Sequence, residues 1–194
     1  MFELNKFTPT AECGKPVIYL YPEKTTKVKV QLQLSKLTVS EPAYGNGWEV
    51  VAEPGGQLTE IKSGVKYPYL FWEGLGVGEA EPTNAGFNVK AENVSKFLDE
   101  KLVLQGLNQK EIFDFKEFWL PKMQSAPYYF VTFYGTSDMN NIAPLFVSPK
   151  PDTVIRVLMD YRAVSAPLNR PEQKLSALPR AGFTLIEWGG VLYK

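Results

Sequence analysis

VSKFLDEKLVLQGLNQKEIFDFKEFWLP, residues 94–121, carries the clearest periodic signal in the chain and sets the fold class. Val94, Phe97, Leu98 and Leu102 stand at i, i+3, i+4 and i+8, which lays one apolar stripe along a helix. Gly106 suits the left-handed position just past a helix end. Asn108 can cap a second helix, with Glu111 three residues on to complete a reciprocal capping box. Leu107 and Ile112 stand where a hydrophobic staple forms, and Ile112, Phe115 and Trp119 supply the second buried stripe. Pro121 ends this helix, because the residue before a proline is pushed out of the α region. Two helices joined this tightly make an αα-hairpin. A DNA-reading helix-turn-helix is the functional alternative, but its second helix would offer Glu111, Asp114 and Glu117 to phosphates that repel them.

Outward from the hairpin the pattern changes to strands. Val17 to Tyr21, closed by Pro22, reads as a buried strand. Lys27 to Leu34 alternates strictly, with Val28, Val30, Leu32 and Leu34 on one side and lysines and glutamines on the other. That is a half-buried antiparallel strand with one wet face. Turn chemistry at Gly45-Asn46-Gly47, Pro54-Gly55-Gly56 and Ser63-Gly64 separates short strands at Trp48–Ala52, Leu58–Ile61 and Tyr67–Trp72. Residues 74–86 read as an exposed loop. Beyond the hairpin, strands are predicted at Tyr128–Tyr134, Leu145–Val147, Thr153–Tyr161 and Phe183–Trp188, with Ala166–Arg180 a long surface connection. The predicted fold is α+β: mostly antiparallel β, sandwich-like, with a central αα-hairpin packed on one side.

With 194 residues the chain fits one domain, predicted over residues 13–194 with residues 1–12 as a loose N-terminal tail. It has 21 basic and 21 acidic residues, so it lacks the cationic excess of a duplex-binding protein, and no nucleic-acid partner is expected. No apolar run reaches the roughly 20 residues of a membrane span, and Met1 to Glu12 contains no secretory h-region. As it stands the sequence predicts a cytoplasmic protein; removal of a signal segment would make it secreted or periplasmic.

There is no histidine, and Cys13 is the only cysteine. Ser-His-Asp and Cys-His catalysis are therefore excluded, as is a zinc site of His or Cys ligands. No metal or cofactor is expected. Carboxylates, lysine, tyrosine or a lone thiol remain for chemistry. Cys13, beside Lys15, lacks the usual base and is read as a structural or incidental thiol. Glu79 and Glu81 make a weak signal for a hard cation, and a solvated loop is the default. Gly74, Gly76 and Gly78 match neither a phosphate loop nor a dinucleotide fingerprint.

Several motifs are long and specific. CGKPVIYLYP at 13–22 resembles the opening signature of a widespread prokaryotic family with no established activity. YLFWEG at 69–74, GLN at 106–108, WLP at 119–121, PKPD at 149–152, and GF at 182–183 through EWGG at 187–190 resemble the same family. The resemblance spans about Cys13 to Gly190; it implies one domain and no particular function.

The candidate catalytic pair is Glu73 and Glu187, each beside a tryptophan, Trp72 and Trp188, and each at the end of an apolar strand. Burial would raise a carboxyl pKa toward that of a general acid, and two such groups across a tryptophan-lined cleft would suit glycoside hydrolysis. The structural alternative is that each glutamate braces a backbone turn or meets Lys or Arg. Arg156 shares a strand face with Val154, Leu158 and Asp160; it is a candidate to hold a carboxylate ligand, or more ordinarily a protein carboxylate. Aromatic content of 13% fits a large core or a stacking surface that includes Trp72 and Trp188. The expected function is a non-catalytic binding or interaction domain with an aromatic-rich surface, its partner a small molecule, carbohydrate or protein. The alternatives are a carboxylate-dependent hydrolase, acting on glycosides for example, and a structural part of a larger assembly.

Overall fold

A computed structural model describes residues 12–81, 83–176 and 178–192. Among them the strands are β1 (Glu12–Tyr21), β2 (Thr26–Leu32), β3 (Lys36–Glu41), β4 (Trp48–Ala52), β5 (Leu58–Glu60), β6 (Lys66–Tyr67), β7 (Leu70–Leu75), β8 (Phe87–Lys90), β9 (Tyr128–Tyr134), β10 (Leu145–Ser148), β11 (Thr153–Val164) and β12 (Thr184–Leu192). The α-helices are α1 (Val94–Leu104), α2 (Gln109–Trp119) and α3 (Thr136–Ile142). The fold is α+β, two largely antiparallel sheets with the α1–α2 hairpin packed on one side, against the larger sheet, in agreement with the sequence.

The larger sheet runs β3-β7-β1-β12-β11-β9-β8 and the smaller β10-β2-β4-β5-β6. Among the described residues only β11 and β12 pair in parallel. A parallel pair needs a long crossover, and the predicted surface connection supplies it. That connection also straps the sheet edge. The Asn88 amide bonds both N–H and C=O of Leu168, and the Gln173 amide does the same for Phe133.

Two apolar cores share the larger sheet. Ile18 and Leu20 pack toward the smaller sheet with Val28, Val30, Trp48, Val50 and Leu58. Val17 and Tyr19 pack toward the hairpin with Leu98, Leu102, Ile112, Phe115 and Trp119. Covered on both faces, β1 reads as a continuous apolar run, whereas β2 has one wet face and alternates. Cys13 is buried in the inter-sheet core.

The hairpin turn forms as its residues dictate. Gly106 has φ +88°, and the Leu107 N–H donates to the Leu102 carbonyl at 3.1 Å. The Asn108 side chain accepts from the Glu111 N–H at 2.9 Å, and Glu111 Oε2 accepts from the Asn108 N–H at 2.8 Å. The far end differs from expectation. Leu120 keeps helical angles before Pro121, and residues 120–122 add one 3₁₀ turn. What stops the α-helix is the missing N–H of Pro121, which cannot bond the Glu117 carbonyl.

Other boundaries move for local reasons. Pro68 divides the predicted strand Tyr67–Trp72 between β6 and β7, which lie in different sheets. Gly74 and Leu75 extend β7 into the predicted loop. Edge strand β3, short strand β8 and helix α3 are additional to the predicted elements; α3 buries only Met139 and Ile142, too few positions to give a readable period. Of the predicted tail, Glu12 opens β1 and residues 1–11 lie outside the described residues. No helix among the described residues is long and apolar enough to cross a membrane.

Candidate functional site

The parallel register of β11 and β12 sets Arg156 beside Glu187 on the face turned to the inter-sheet core. Both side chains are fully buried, and Arg156 Nε donates to Glu187 Oε2 at 2.5 Å. The other two nitrogens of the guanidinium are also bonded. Nη1 donates to Asn140 Oδ1 at 2.9 Å, and Nη2 donates to the Ala143 carbonyl at 2.8 Å. Trp72, arriving from β7, donates its indole N–H to Glu187 Oε1 at 2.9 Å. Three residues singled out in the sequence thus meet, with Glu187 accepting from Arg156 on one oxygen and from Trp72 on the other. Asn140 and the Ala143 carbonyl, from α3 and its C-terminal end, were not legible in the sequence because α3 itself was not. A charge can be buried this deeply because it is paired and hydrogen-bonded. Each guanidinium nitrogen and each carboxylate oxygen of the pair already has a protein partner, and neither side chain is accessible from solvent. Arg156 holds a protein glutamate, the more ordinary of the two roles predicted for it.

Glu73 is elsewhere. Leu70, Ile18 and Glu187 share one row across β7, β1 and β12, while Phe71, Val17 and Trp188 share the next. Alternation along β7 places Glu73 with Phe71, on the hairpin side of the sheet, and Glu187 on the opposite side. The two carboxylates therefore do not line a common cleft, which a two-carboxylate glycoside mechanism requires. Glu73 is half-buried and its Oε1 accepts from the Lys15 N–H at 3.3 Å. Lys15, at φ +45°, sits in an irregularity where the β1 register shifts between Gly14 and Val17. Glu73 thus braces a bulge, the structural role weighed for it.

The tryptophans offer no stacking surface: Trp48, Trp72, Trp119 and Trp188 are all essentially inaccessible. Trp188 packs edge-on to Phe115 at 5.1 Å, and Trp119 covers Gly190 so closely that a Cβ there would meet its ring. Tyr19, also buried, donates to Asp114 Oδ2 at 2.8 Å. Burial, then the Asp114 charge, raises its pKa well above the ordinary phenol value; the Trp188 N–H, near but outside bonding geometry, acts weakly the other way. Glu111 is buried beneath Arg180, whose Nη1 reaches Glu111 Oε2 at 3.0 Å while its guanidinium lies 4.8 Å from the centre of the Tyr21 ring. These groups fasten the hairpin to the sheet.

What stays open is the outward side of the hairpin. A groove of about 620 Å³ runs along α2, lined by Gln109, Ile112, Phe113, Lys116, Leu120 and Pro121 with Asp99 across it. Lys116 Nζ and Asp99 Oδ2, 2.7 Å apart, tie the two helices at its wall. Phe113 projects with 66% of its surface exposed, and Val103 and Leu104 on α1 are half exposed. A signal for Phe113 existed in the sequence: like Phe118 it is an aromatic of α2 outside the Ile112, Phe115, Trp119 stripe, but Phe118 packs against the hairpin-side core and Phe113 does not.

Comparison with protein-family models, with curated proteins and with solved structures finds no match to this chain.

Proposed function

We propose that the chain is a non-catalytic interaction domain whose contact surface is the outward face of the α1–α2 hairpin, centred on Phe113. The observation that carries this reading is a phenyl ring left 66% exposed above an apolar groove, in a chain that buries all four of its tryptophans. Exposed apolar groups beside a concavity with a polar rim are the usual marks of a protein-contact surface. The hydrolase reading draws no support from the geometry, since Glu187 is enclosed by Arg156 and Trp72 while Glu73 faces the other way.

A selection of displayed peptides against the parent protein tests the proposal. Recovered peptides should share an apolar anchor, lose binding to Phe113→Glu, and keep binding to Phe146→Glu, which alters an exposed aromatic on the smaller sheet. Peptides indifferent to Phe113→Glu would overturn it. So would turnover of a glycoside by the parent that Glu187→Gln abolishes without unfolding the chain.

A further inference from the structure

Resting on that reading, we infer that the partner for this face is a second copy of the chain, docked about a twofold axis with α2 antiparallel to its counterpart. The order of residues along α2 is self-complementary. Lys110, Phe113 and Glu117 are all exposed on its outer side. Lys110 and Glu117 are seven residues apart, about 10 Å along the axis and nearly in line on the helix surface. Phe113 lies midway between them. In a twofold contact, if residue i meets j then j meets i. An axis beside Phe113 therefore sets Lys110 of each copy against Glu117 of the other, making two equivalent ion pairs around a central pair of phenyl rings.

The local charges fit this arrangement. Glu117 has no lysine or arginine within ion-pair distance among the described residues, whereas the neighbouring Lys116 is committed to Asp99. Lys110 meets Asp114 at 2.6 Å but is more than half exposed, and an ammonium has three donors to distribute. Half-exposed Val103 and Leu104 on α1 extend the apolar area beyond a single helix. Two helices of 11 residues are each about 16 Å long, so the face is modest beside the roughly 1,000 Å² of a firm interface. The dimer is accordingly weak and reversible.

Sedimentation velocity over a wide concentration range tests it on the full chain. The parent should move from monomer toward twice that mass as concentration rises, and Phe113→Glu should stay monomeric; Phe113→Ser serves if the glutamate variant folds poorly. Each single reversal, Lys110→Glu or Glu117→Lys, creates two like-charge meetings and should weaken association at least tenfold. The double reversal restores both pairs and should recover most of the loss, and Phe146→Glu should change nothing. A parent that remains monomeric, a dimer that survives Phe113→Glu, or a double reversal no better than the single ones overturns the inference. A monomeric parent whose selected peptides still require Phe113 removes only the second copy as partner; loss of both results removes the interaction reading as well.

Discussion

Arg156 and Glu187 occupy the same level of adjacent parallel strands and pair there, and Trp72, Asn140 and the Ala143 carbonyl take their remaining polar atoms. Removing one partner strands a buried charge. Arg156→Met is expected to cost about 3–5 kcal/mol, whereas Arg156→Met with Glu187→Leu should cost far less than the sum of the single changes, because no charge is left behind. Urea denaturation of the two single variants and the double variant measures the coupling. Additive losses would mean that the two groups do not depend on one another.

The two tryptophan-adjacent glutamates should respond unequally. Glu73 is half-buried and makes one 3.3 Å contact, to the Lys15 N–H, which the amide oxygen of glutamine can also accept. Glu73→Gln should therefore shift stability by less than about 1 kcal/mol. Glu187→Gln, deep in the sheet, should be several times more costly. Equal melting of the two variants would contradict their placement on opposite faces.

The hairpin turn depends on backbone geometry more than on contacts. With φ at +88°, Gly106 occupies a region that β-branched residues enter only under strain, so Gly106→Val should lose about 1 kcal/mol or more. Asn108→Ala removes the acceptor for the Glu111 N–H and should lose about 1 kcal/mol. Chemical denaturation checks both, and unchanged midpoints would place the helix ends elsewhere.

Alkaline pH should unfold the chain through its buried phenols. Burial is the first cause of the raised pKa at Tyr19, Tyr21 and Tyr134, and at Tyr134 it lifts the value to about 12. A raised folded pKa means that the unfolded chain releases its proton first. The stability linked to these groups is complete below about pH 10 and falls as pH rises beyond it, by about 1.4 kcal/mol per pH unit for a phenol as buried as Tyr19. Tyr19→Phe should lower stability at neutral pH by loss of the 2.8 Å bond to Asp114, and should flatten the alkaline decline by about one proton. Denaturant midpoints from neutral pH upward, parent against variant, decide the matter; parallel curves would contradict the assignment.

The sequence by itself determined whatever is encoded within a few residues. The period of Val94, Phe97, Leu98 and Leu102, the Asn108–Glu111 box and the alternation of Lys27 to Leu34 are local patterns, and each reappears in the fold because burial and capping act at short range. That Arg156 needs a carboxylate was also legible, since a charge on an apolar strand must be satisfied. Which carboxylate was decided only by the parallel pairing of β11 with β12 and by the arrival of Trp72 from β7 and Asn140 from α3, all remote in sequence. The alternation that gave Glu73 and Glu187 their local faces held no information on how β7 and β12 are registered through β1, and that register sets them on opposite sides of one sheet. Likewise Trp72 and Trp188 could be read as core, the more ordinary place for them, or as a stacking surface, and two layers closing over the larger sheet put them in the core. Phe113 was left exposed because the stripe that includes Ile112, Phe115 and Trp119 had already turned the other side of α2 inward.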